Sequence, residues 1–390
     1  MPHILILMSD TGGGHRAAAE AIQHAIGRLD DKNEFTVELL DFIKETAIPP
    51  WDRLGRIYKP AVDHASWLWG AGFKATSPWP IRKSLTALNA TVAGPKMMRL
   101  LRKHPADLVV SVHPLSTSVP GRILRRIRPE VPFVIVVTDL VTTHPFWYWK
   151  GADATYVASE EARDRALRLG VPASKIEITG LPIDVRFQEL PDRKEEMKRE
   201  YGMPTDRAML LLIGGGEGMG NLEGFARAIA SSGLPLSLMV VAGRNEKLRR
   251  RLSTTAWEIP VQVTGFVRDM PRRMAAADVL ITKAGPGTLC EGLAARLPIF
   301  ITGFIPGQEE GNVRWITENN AGRLTLTPDD VTIALHGLFD KKGPTPLYDD
   351  AQEAAARLAR PEAAITVAER LMALASGALT RKQDNGKHEK

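Results

Sequence analysis

Short apolar runs recur along the chain, each closed by glycine or charge, with helically spaced stretches between them. The first is His3 to Met8, followed by Thr36–Leu40, Leu108–Val112 and Phe133–Val137. They are nearly continuous rather than alternating, which is the pattern of strands buried on both faces of a parallel sheet. A helix is expected from Arg16 to Leu29. Ala18, Ala21, Ile22, Ala25, Ile26 and Leu29 form its single apolar stripe. Further helices are expected at Gly94–Lys103 and Gly121–Ile127. Strand, helix, strand in repetition predicts a sheet covered by helices.

The pattern then restarts. Met209–Ile213 reads as a strand, Gly214-Gly-Gly-Glu-Gly-Met-Gly220 as a glycine turn and Asn221–Ser232 as a helix. Leu236–Ala242, Pro260–Thr264, Val279–Thr282 and Ile299–Thr302 supply further strands. Both halves open with a strand, a triple glycine and a helix. The expected fold is therefore α/β, two Rossmann-like domains facing each other across a cleft. Residues 1–185 are expected to form the first domain and 186–375 the second. Gly180 to Met203, punctuated by proline and strongly charged, reads as the connector. The polar end, 376–390, reads as a disordered tail. Ligands of such sheets bind beyond the carboxyl ends of the strands.

The chemistry concentrates in Ile281-Thr-Lys-Ala-Gly-Pro-Gly-Thr-Leu-Cys-Glu291 and Gly307-Gln-Glu-Glu-Gly-Asn312. A glycine turn at a strand end presents helix-start amides to phosphate oxygens, and a nearby carboxylate can bind ribose hydroxyls. The helix is expected from Leu289 to Ala295, with Glu291 in its first turn. There it could equally compensate the helix dipole. Gln308 and Glu309 in the second cluster are the amide and carboxylate groups that bind neutral sugars, and they favour the nucleotide-sugar reading. The first glycine turn lacks the full dinucleotide fingerprint and a ribose-binding acid downstream, so a dehydrogenase fits poorly.

Composition narrows the class. At 390 residues the chain is too long for one ordinary core. A hydrophobic share of 44% and a charged share of 25% are those of a globular protein. The lone cysteine, Cys290, excludes an intrachain disulfide framework and fits a reducing compartment. Neither a signal peptide nor a membrane-spanning run is expected. Net charge is +6, with a pI near 9.4, which favours an anionic partner. Four of the eight tryptophans, Trp51, Trp67, Trp69 and Trp79, lie among Arg53, Arg56, Lys59, Lys74, Arg82 and Lys83. Tryptophan interleaved with bases is the signature of a protein lying on an anionic leaflet. Packing of those tryptophans in the first domain's core is the alternative. The basic run Arg244–Arg251 reads as a solvated helix face. With no nucleic-acid motif beside it, no nucleic-acid partner is expected.

Several segments together resemble one family. They are Ser9-Asp-Thr-Gly-Gly-Gly-His-Arg-Ala-Ala-Ala-Glu-Ala-Ile22, Ser77-Pro78-Trp79-Pro80, Ser111-Val-His-Pro114, Thr138-Asp139 with Thr143-His-Pro-Phe-Trp147, and Ile281 to Asn312. The chain is similar to the monogalactosyldiacylglycerol synthases, relatives of the peptidoglycan-precursor GlcNAc transferase and of bacterial processive diacylglycerol glucosyltransferases. The resemblance implies the two-domain GT-B glycosyltransferase fold and inverting transfer of a hexose from a UDP-sugar to diacylglycerol. Galactose is favoured over glucose. It implies Glu291 at the ribose, Gly285, Pro286, Gly287 and Thr288 around the diphosphate, and Gln308 and Glu309 at the hexose. Phe266 and Val267 would line the uracil pocket, and Gly215 and Gly216 would approach the phosphates.

The resemblance further implies His15 as general base, with Asp139 to orient or replace it. His15 could also merely cap its own helix. Pro78, Trp79 and the other three tryptophans of that segment, with His113, are expected on the acceptor and membrane side. His113 and His144 also have an ordinary structural reading. No cofactor is expected: Asp-x-Asp, the usual metal-holding pair of metal-dependent transferases, is missing from the sequence. Helix-start amides, with Lys283 or Arg244, would then carry the leaving-group charge. A peripheral enzyme on the cytoplasmic face of a bacterial membrane is the expected setting. A UDP-sugar epimerase or a GlcNAc transferase on the same fold is the alternative.

Overall fold

The structure is a computed structural model. It describes residues 1–10, 13–46, 70–190, 193–216, 218 and 220–388, with no side chains described from 378 onward. It divides into two compact units. One comprises Met1–Val185, Pro306–Gln308 and Glu362–Lys390, and the other Arg186–Ile305 and Glu309–Pro361.

The first unit is a six-stranded parallel sheet. Its strands are β1 (His3–Met8), β2 (Thr36–Asp41), β3 (Leu108–Ser111), β4 (Phe133–Val136), β5 (Ala154–Val157) and β6 (Ile176–Ile178), in the spatial order β2-β1-β3-β4-β5-β6. Helix α1 (Gly14–Leu29) buries the expected stripe of Ala18, Ala21, Ile22, Ala25 and Ile26 against one face. Leu29 itself stays exposed. The other face is covered by α3 (Gly94–Lys103) and α4 (Ser118–Ile127), whose Met97, Leu100, Leu101, Ile123 and Leu124 share a core cluster with Leu5, Val109 and Ile135. Between β2 and α3 lies α2 (Trp79–Val92), which has no buried residue.

The second unit repeats the plan. Its strands are β7 (Ala208–Ile213), β8 (Leu236–Val241), β9 (Val261–Thr264), β10 (Val279–Thr282), β11 (Ile299–Ile301) and β12 (Gly322–Leu324), ordered β12-β11-β10-β7-β8-β9 and parallel throughout. Helices α5 (Leu222–Ala230) and α6 (Pro286–Ala294) follow β7 and β10.

Two boundary expectations are corrected. The last helix, Ala363–His388, belongs to the first unit rather than the second. Ala364, Val367, Ala368, Leu371 and Ala375 complete the cluster formed by Ile22, Ala25 and Ile26 of α1 with Ile4 and Ile6 of β1. The helix continues past residue 375, so much of the stretch expected to be a disordered tail has helical backbone. Its alanine- and leucine-rich start propagates a helix that the polar end alone would not nucleate.

Candidate functional site

In a doubly wound sheet the crevice for a ligand opens where the strand order reverses, at the carboxyl ends of the strands. The first unit reverses between β1 and β3. The residues placed there are His15, at the start of α1, and His113, just beyond β3. Their rings meet edge to face, with centroids 4.5 Å apart. Nδ1 of His15 lies 2.8 Å from Thr138 Oγ1, which follows β4. Three strand ends separated by up to 123 residues thus converge on one imidazole.

The glycine turn before His15 is anchored from Asp10. Its carboxylate is paired with Arg16 and Lys44, and the Arg16 guanidinium, ahead of Lys44, holds it far below the usual carboxylate range. Gly13 caps α1 at φ 77°, a backbone angle that glycine adopts without steric cost, and no side chain caps the helix. His15 therefore does not act as a helix cap here. It is half-buried, and loss of water lowers its pKa to about 4, against a weaker opposing hydrogen bond with the Val112 backbone. The imidazole is neutral, and so able to accept a proton, throughout the neutral range.

Asp139 is buried, and its Oδ2 accepts from Trp147 Nε1 at 2.7 Å. Trp147 is fully buried, with its ring 6.0 Å from that of His15. The Thr138 hydroxyl meets His15 directly, and Asp139 bonds the tryptophan beneath. The sequence motif holds Thr138 without a task for it, and Trp147, which would extend the basic tryptophan patch, is instead fully buried.

His113 and His144 perform the same local duty at two His-Pro turns. Nδ1 of each accepts from the amide two residues on, Leu115 N and Phe146 N, both at 3.2 Å. Each therefore caps a short 3-10 turn, and Thr117 Oγ1 donates to Phe146 O at 2.6 Å to join the two turns. Burial pushes the His113 pKa well below its ordinary value, with proximity to His15 second. His144 is pushed down to about 4, again mainly by burial.

The second unit reverses between β7 and β10, and the expected donor-binding residues gather on that edge. Gly215 and Gly216 follow β7, Arg244 follows β8, Phe266 and Val267 follow β9, and Lys283 to Thr288 follow β10. Pro286 takes the first position of α6, where its fixed φ suits a helix start, and Gly285 offers no side-chain cap. The amides of Gly287 and Thr288 thus begin the helix with no side chain closing it off. The earlier start corrects one expectation: Glu291 lies in the second turn of α6, half-buried, and the first turn carries no acid.

Lys283 spans the reversal. A Cβ on Gly285 would meet its Nζ at 3.1 Å, and one on Gly215 its Cε at 3.7 Å. The ammonium is 3.2 Å from Glu309 Oε1, while Glu309 Oε2 accepts from Ile305 N at 2.8 Å. Glu309 is only 3% exposed. Expected at a sugar hydroxyl, it here holds Lys283 and its own loop, and Gln308 is the half-buried member of the pair. Gly243, at φ 58°, is needed for the neighbouring turn: a Cβ there would lie 2.5 Å from Gly216 O and 2.7 Å from Gly215 O. Arg244 covers the Phe266 ring at 4.7 Å, and that ring is 52% exposed, open to a stacking partner.

On the presumed acceptor side, Pro78 precedes α2 and Trp79 is 61% exposed, with Lys83 Nζ 5.0 Å above its ring. Trp79 is therefore no core residue. Trp51, Trp67 and Trp69 lie outside the described residues.

Two parallel six-stranded sheets, each with its polar cluster at the point of strand reversal, make up the GT-B fold. The architecture matches MurG of Acinetobacter baumannii with a TM-score of 0.59, covering 95% of this chain and 99% of that one at 17% identity. The model of monogalactosyldiacylglycerol synthase matches residues 15–183, and that of the glycosyltransferase family 28 C-terminal domain matches residues 212–324. A probable monogalactosyldiacylglycerol synthase of Glycine max is 39% identical over 375 residues, 93% of this chain and 70% of that protein. Monogalactosyldiacylglycerol synthase 1 of Arabidopsis thaliana is 38% identical over 374 residues, 93% of this chain and 69% of that protein. The chain belongs to the monogalactosyldiacylglycerol synthase family.

Proposed function

We propose that the protein transfers a hexose, galactose before glucose, from its UDP-sugar to the free hydroxyl of 1,2-diacylglycerol at a membrane surface, inverting the anomeric carbon. The supporting observation is the neutral imidazole of His15, fixed by Thr138 at the reversal point of the first sheet in a chain of this family. In one in-line displacement the acceptor oxygen forms its bond to the anomeric carbon while the bond from that carbon to UDP breaks. His15 takes the hydroxyl proton, a transfer worth roughly 10²–10⁴-fold in rate. The bonding pair leaves with the diphosphate, which carries two negative charges in the donor and gains a third as it departs; that charge falls to the amides of Gly287 and Thr288, the start of α6, and the cations Lys283 and Arg244. Glu291 reaches the ribose, Phe266 and Val267 the uracil, and Gln308 the hexose. No metal enters this scheme.

No helix among the described residues is long and apolar enough to cross a membrane, so the lipid substrate is met from the side, with anionic lipids supplying attraction to a chain of charge +6. The test uses purified protein, detergent-dispersed diacylglycerol and radiolabelled UDP-galactose or UDP-glucose in parallel, with EDTA present. A β-linked glycosyl diacylglycerol is expected, with more product from UDP-galactose. Absence of lipid product in both lanes, with UDP still bound, overturns the proposal. Conversion of the UDP-sugar to its epimer would replace it with the isomerase reading.

A further inference from the structure

Strand β9 ends at Thr264, and the next five residues, Gly265 to Asp269, form neither helix nor strand before the helix Met270–Ala276 begins. On the proposed placing of the donor, Phe266 and Val267 of this loop meet uracil. Gly265, Phe266 and Val267 carry no polar side chain, so only their backbone N–H and C=O groups can recognise the edge of a base. A hydrogen bond falls off with misalignment far more steeply than a stacking contact does. Base selectivity therefore needs a loop whose backbone is held still.

The far end of the loop is held in an uncommon way. Asp269 occupies the N-cap of the following helix, where an aspartate ordinarily accepts from one of the first amides, yet its side chain makes no such bond. Both oxygens turn elsewhere: Oδ2 accepts from the Tyr201 hydroxyl at 2.8 Å and Oδ1 from Arg273 Nε at 2.9 Å. Arg273 is buried, with its guanidinium 4.5 Å over the Tyr201 ring and its Nη1 3.2 Å from Met239 Sδ in β8. Burial would raise the Asp269 pKa, but the bonds from Arg273 and Tyr201 hold it below its ordinary value. Tyr201 is pushed up to about 12, by burial first and by Asp269 second, so its hydroxyl keeps the proton it donates. One residue back, Arg268 O accepts from Arg186 Nη2 at 2.9 Å. Arg186 and Tyr201 lie in the stretch that opens the second unit, 82 and 68 residues from their partners. An acid that forgoes its helix cap for two side chains from outside the loop is placed to serve the loop.

We infer that Asp269, Tyr201, Arg273 and Arg186 are positioning residues, which fix the 265–269 backbone in the shape that selects uracil without touching the nucleotide themselves. The inference rests on the placing of uracil at Phe266 and Val267 and adds the groups that make that placing selective.

The experiment measures UDP and CDP affinity by calorimetry for the full-length wild type, Tyr201→Phe, Arg186→Met and Phe266→Ala. Melting temperatures, and KM and kcat for the UDP-sugar, are taken alongside. CDP shares the stack and the diphosphate but not the base edge of uracil. Tyr201→Phe keeps the ring under Arg273 and deletes one hydrogen bond, and Arg186→Met changes an exposed residue, so both should fold. Each is expected to weaken UDP about 3- to 10-fold, the worth of one hydrogen bond, and CDP by no more than about twofold. KM should rise in step with kcat unchanged, and the melting temperature should fall by no more than about 4 °C. Arg186→Lys, which keeps a donor, should bind UDP more tightly than Arg186→Met. Equal weakening of UDP and CDP overturns the inference, because it marks a general loosening of the second unit. UDP binding untouched in Tyr201→Phe and Arg186→Met, but weakened in Phe266→Ala, also overturns it. Unchanged UDP affinity in Phe266→Ala would instead overturn the placing of uracil on this loop.

Discussion

His144→Asn should remove a measurable part of the protein's acid sensitivity. In the fold, Nδ1 of His144 accepts the Phe146 amide and Nε2 faces Thr76 Oγ1 at 3.1 Å, while that hydroxyl donates to Gly72 O at 2.8 Å. The only consistent proton arrangement is Nε2–H with a bare Nδ1. A second proton would set two donors against each other in a site where the residue is 7% exposed. Its pKa accordingly falls from the ordinary 6.5 to about 4. The sign follows. Below pH 6.5 the unfolded chain takes up a proton that the folded one refuses until about pH 4, so stability is complete above 6.5 and drains away as pH falls through that window. At pH 5 the two pKa values give a loss of about 2 kcal/mol from this one residue. Asparagine offers an acceptor oxygen near the position of Nδ1 and does not titrate. Urea unfolding at pH 7 and pH 5 is the assay. The variant should start somewhat less stable at pH 7, for want of the ring packed on Phe73 and Phe146, yet lose about 2 kcal/mol less than the wild type on acidification. Equal losses in both proteins would refute the buried neutral histidine and the cap assigned to it.

Other consequences can be tested alongside. Because the His15 pKa is lowered to about 4, transfer should stay flat from pH 8 down past pH 6, and an acid limb near 6.5 in kcat/KM would show an ordinary solvated imidazole. His15→Ala should cost roughly 10²–10⁴-fold in kcat with UDP affinity by calorimetry unchanged. Thr138→Val should cost less, about 3- to 10-fold, the worth of one hydrogen bond, and Thr138→Ser should restore the rate. Lys283→Met leaves the buried Glu309 carboxylate with its Ile305 amide alone. It should lower stability by about 1–3 kcal/mol and weaken UDP binding, whereas Lys283→Met/Glu309→Gln should recover the stability but not the affinity. Gly243→Ala places a methyl against two carbonyl oxygens at a positive φ and should cost about 2 kcal/mol or more, read as a drop in melting temperature with weakened UDP binding.

Much of the frame was legible because it is written in a period that needs no tertiary information. Val279–Thr282 and His3–Met8 are apolar runs that end where the strands end, and α3 runs from the glycine to the lysine that bounded it in sequence. Within the two six-stranded sheets, the strands not legible in the sequence are β5, β6 and β12. Ala-Thr-Tyr-Val, Ile-Glu-Ile and Gly-Arg-Leu are too short or too polar to stand out, and they become strands only because a neighbouring strand offers a ladder. The start of α6 was placed three residues late because Pro286 was read as part of the turn rather than as a first helical residue. That shift moves Glu291 from first turn to second. At the sites, residue identity was visible but partnership was not. Nothing in the sequence shows that Glu309 would be buried on Lys283, or that Thr138, 123 residues away, would hold His15. Those pairings are set by strand order, which apolar periodicity leaves open.

The two reversal points divide the chemistry by charge. Each half begins with a strand and a glycine turn, yet the turns serve opposite ends. After β1, the loop carries an acid neutralised by Arg16 and Lys44, and the groups that meet His15 are the His113 ring and the Thr138 hydroxyl. Such a surface suits a neutral alcohol with a proton to lose. After β7 and β10, Lys283 crosses between glycine turns beside a helix start with no capping side chain. That surface suits a group arriving with two negative charges and leaving with a third. Exchanging the roles would put an ionic substrate against buried neutral imidazoles, whose charged forms burial disfavours. Desolvation thus supports the proposed placing of the acceptor on the first unit and the donor on the second, and isolated UDP should lose affinity on Lys283→Met while remaining indifferent to Thr138→Val.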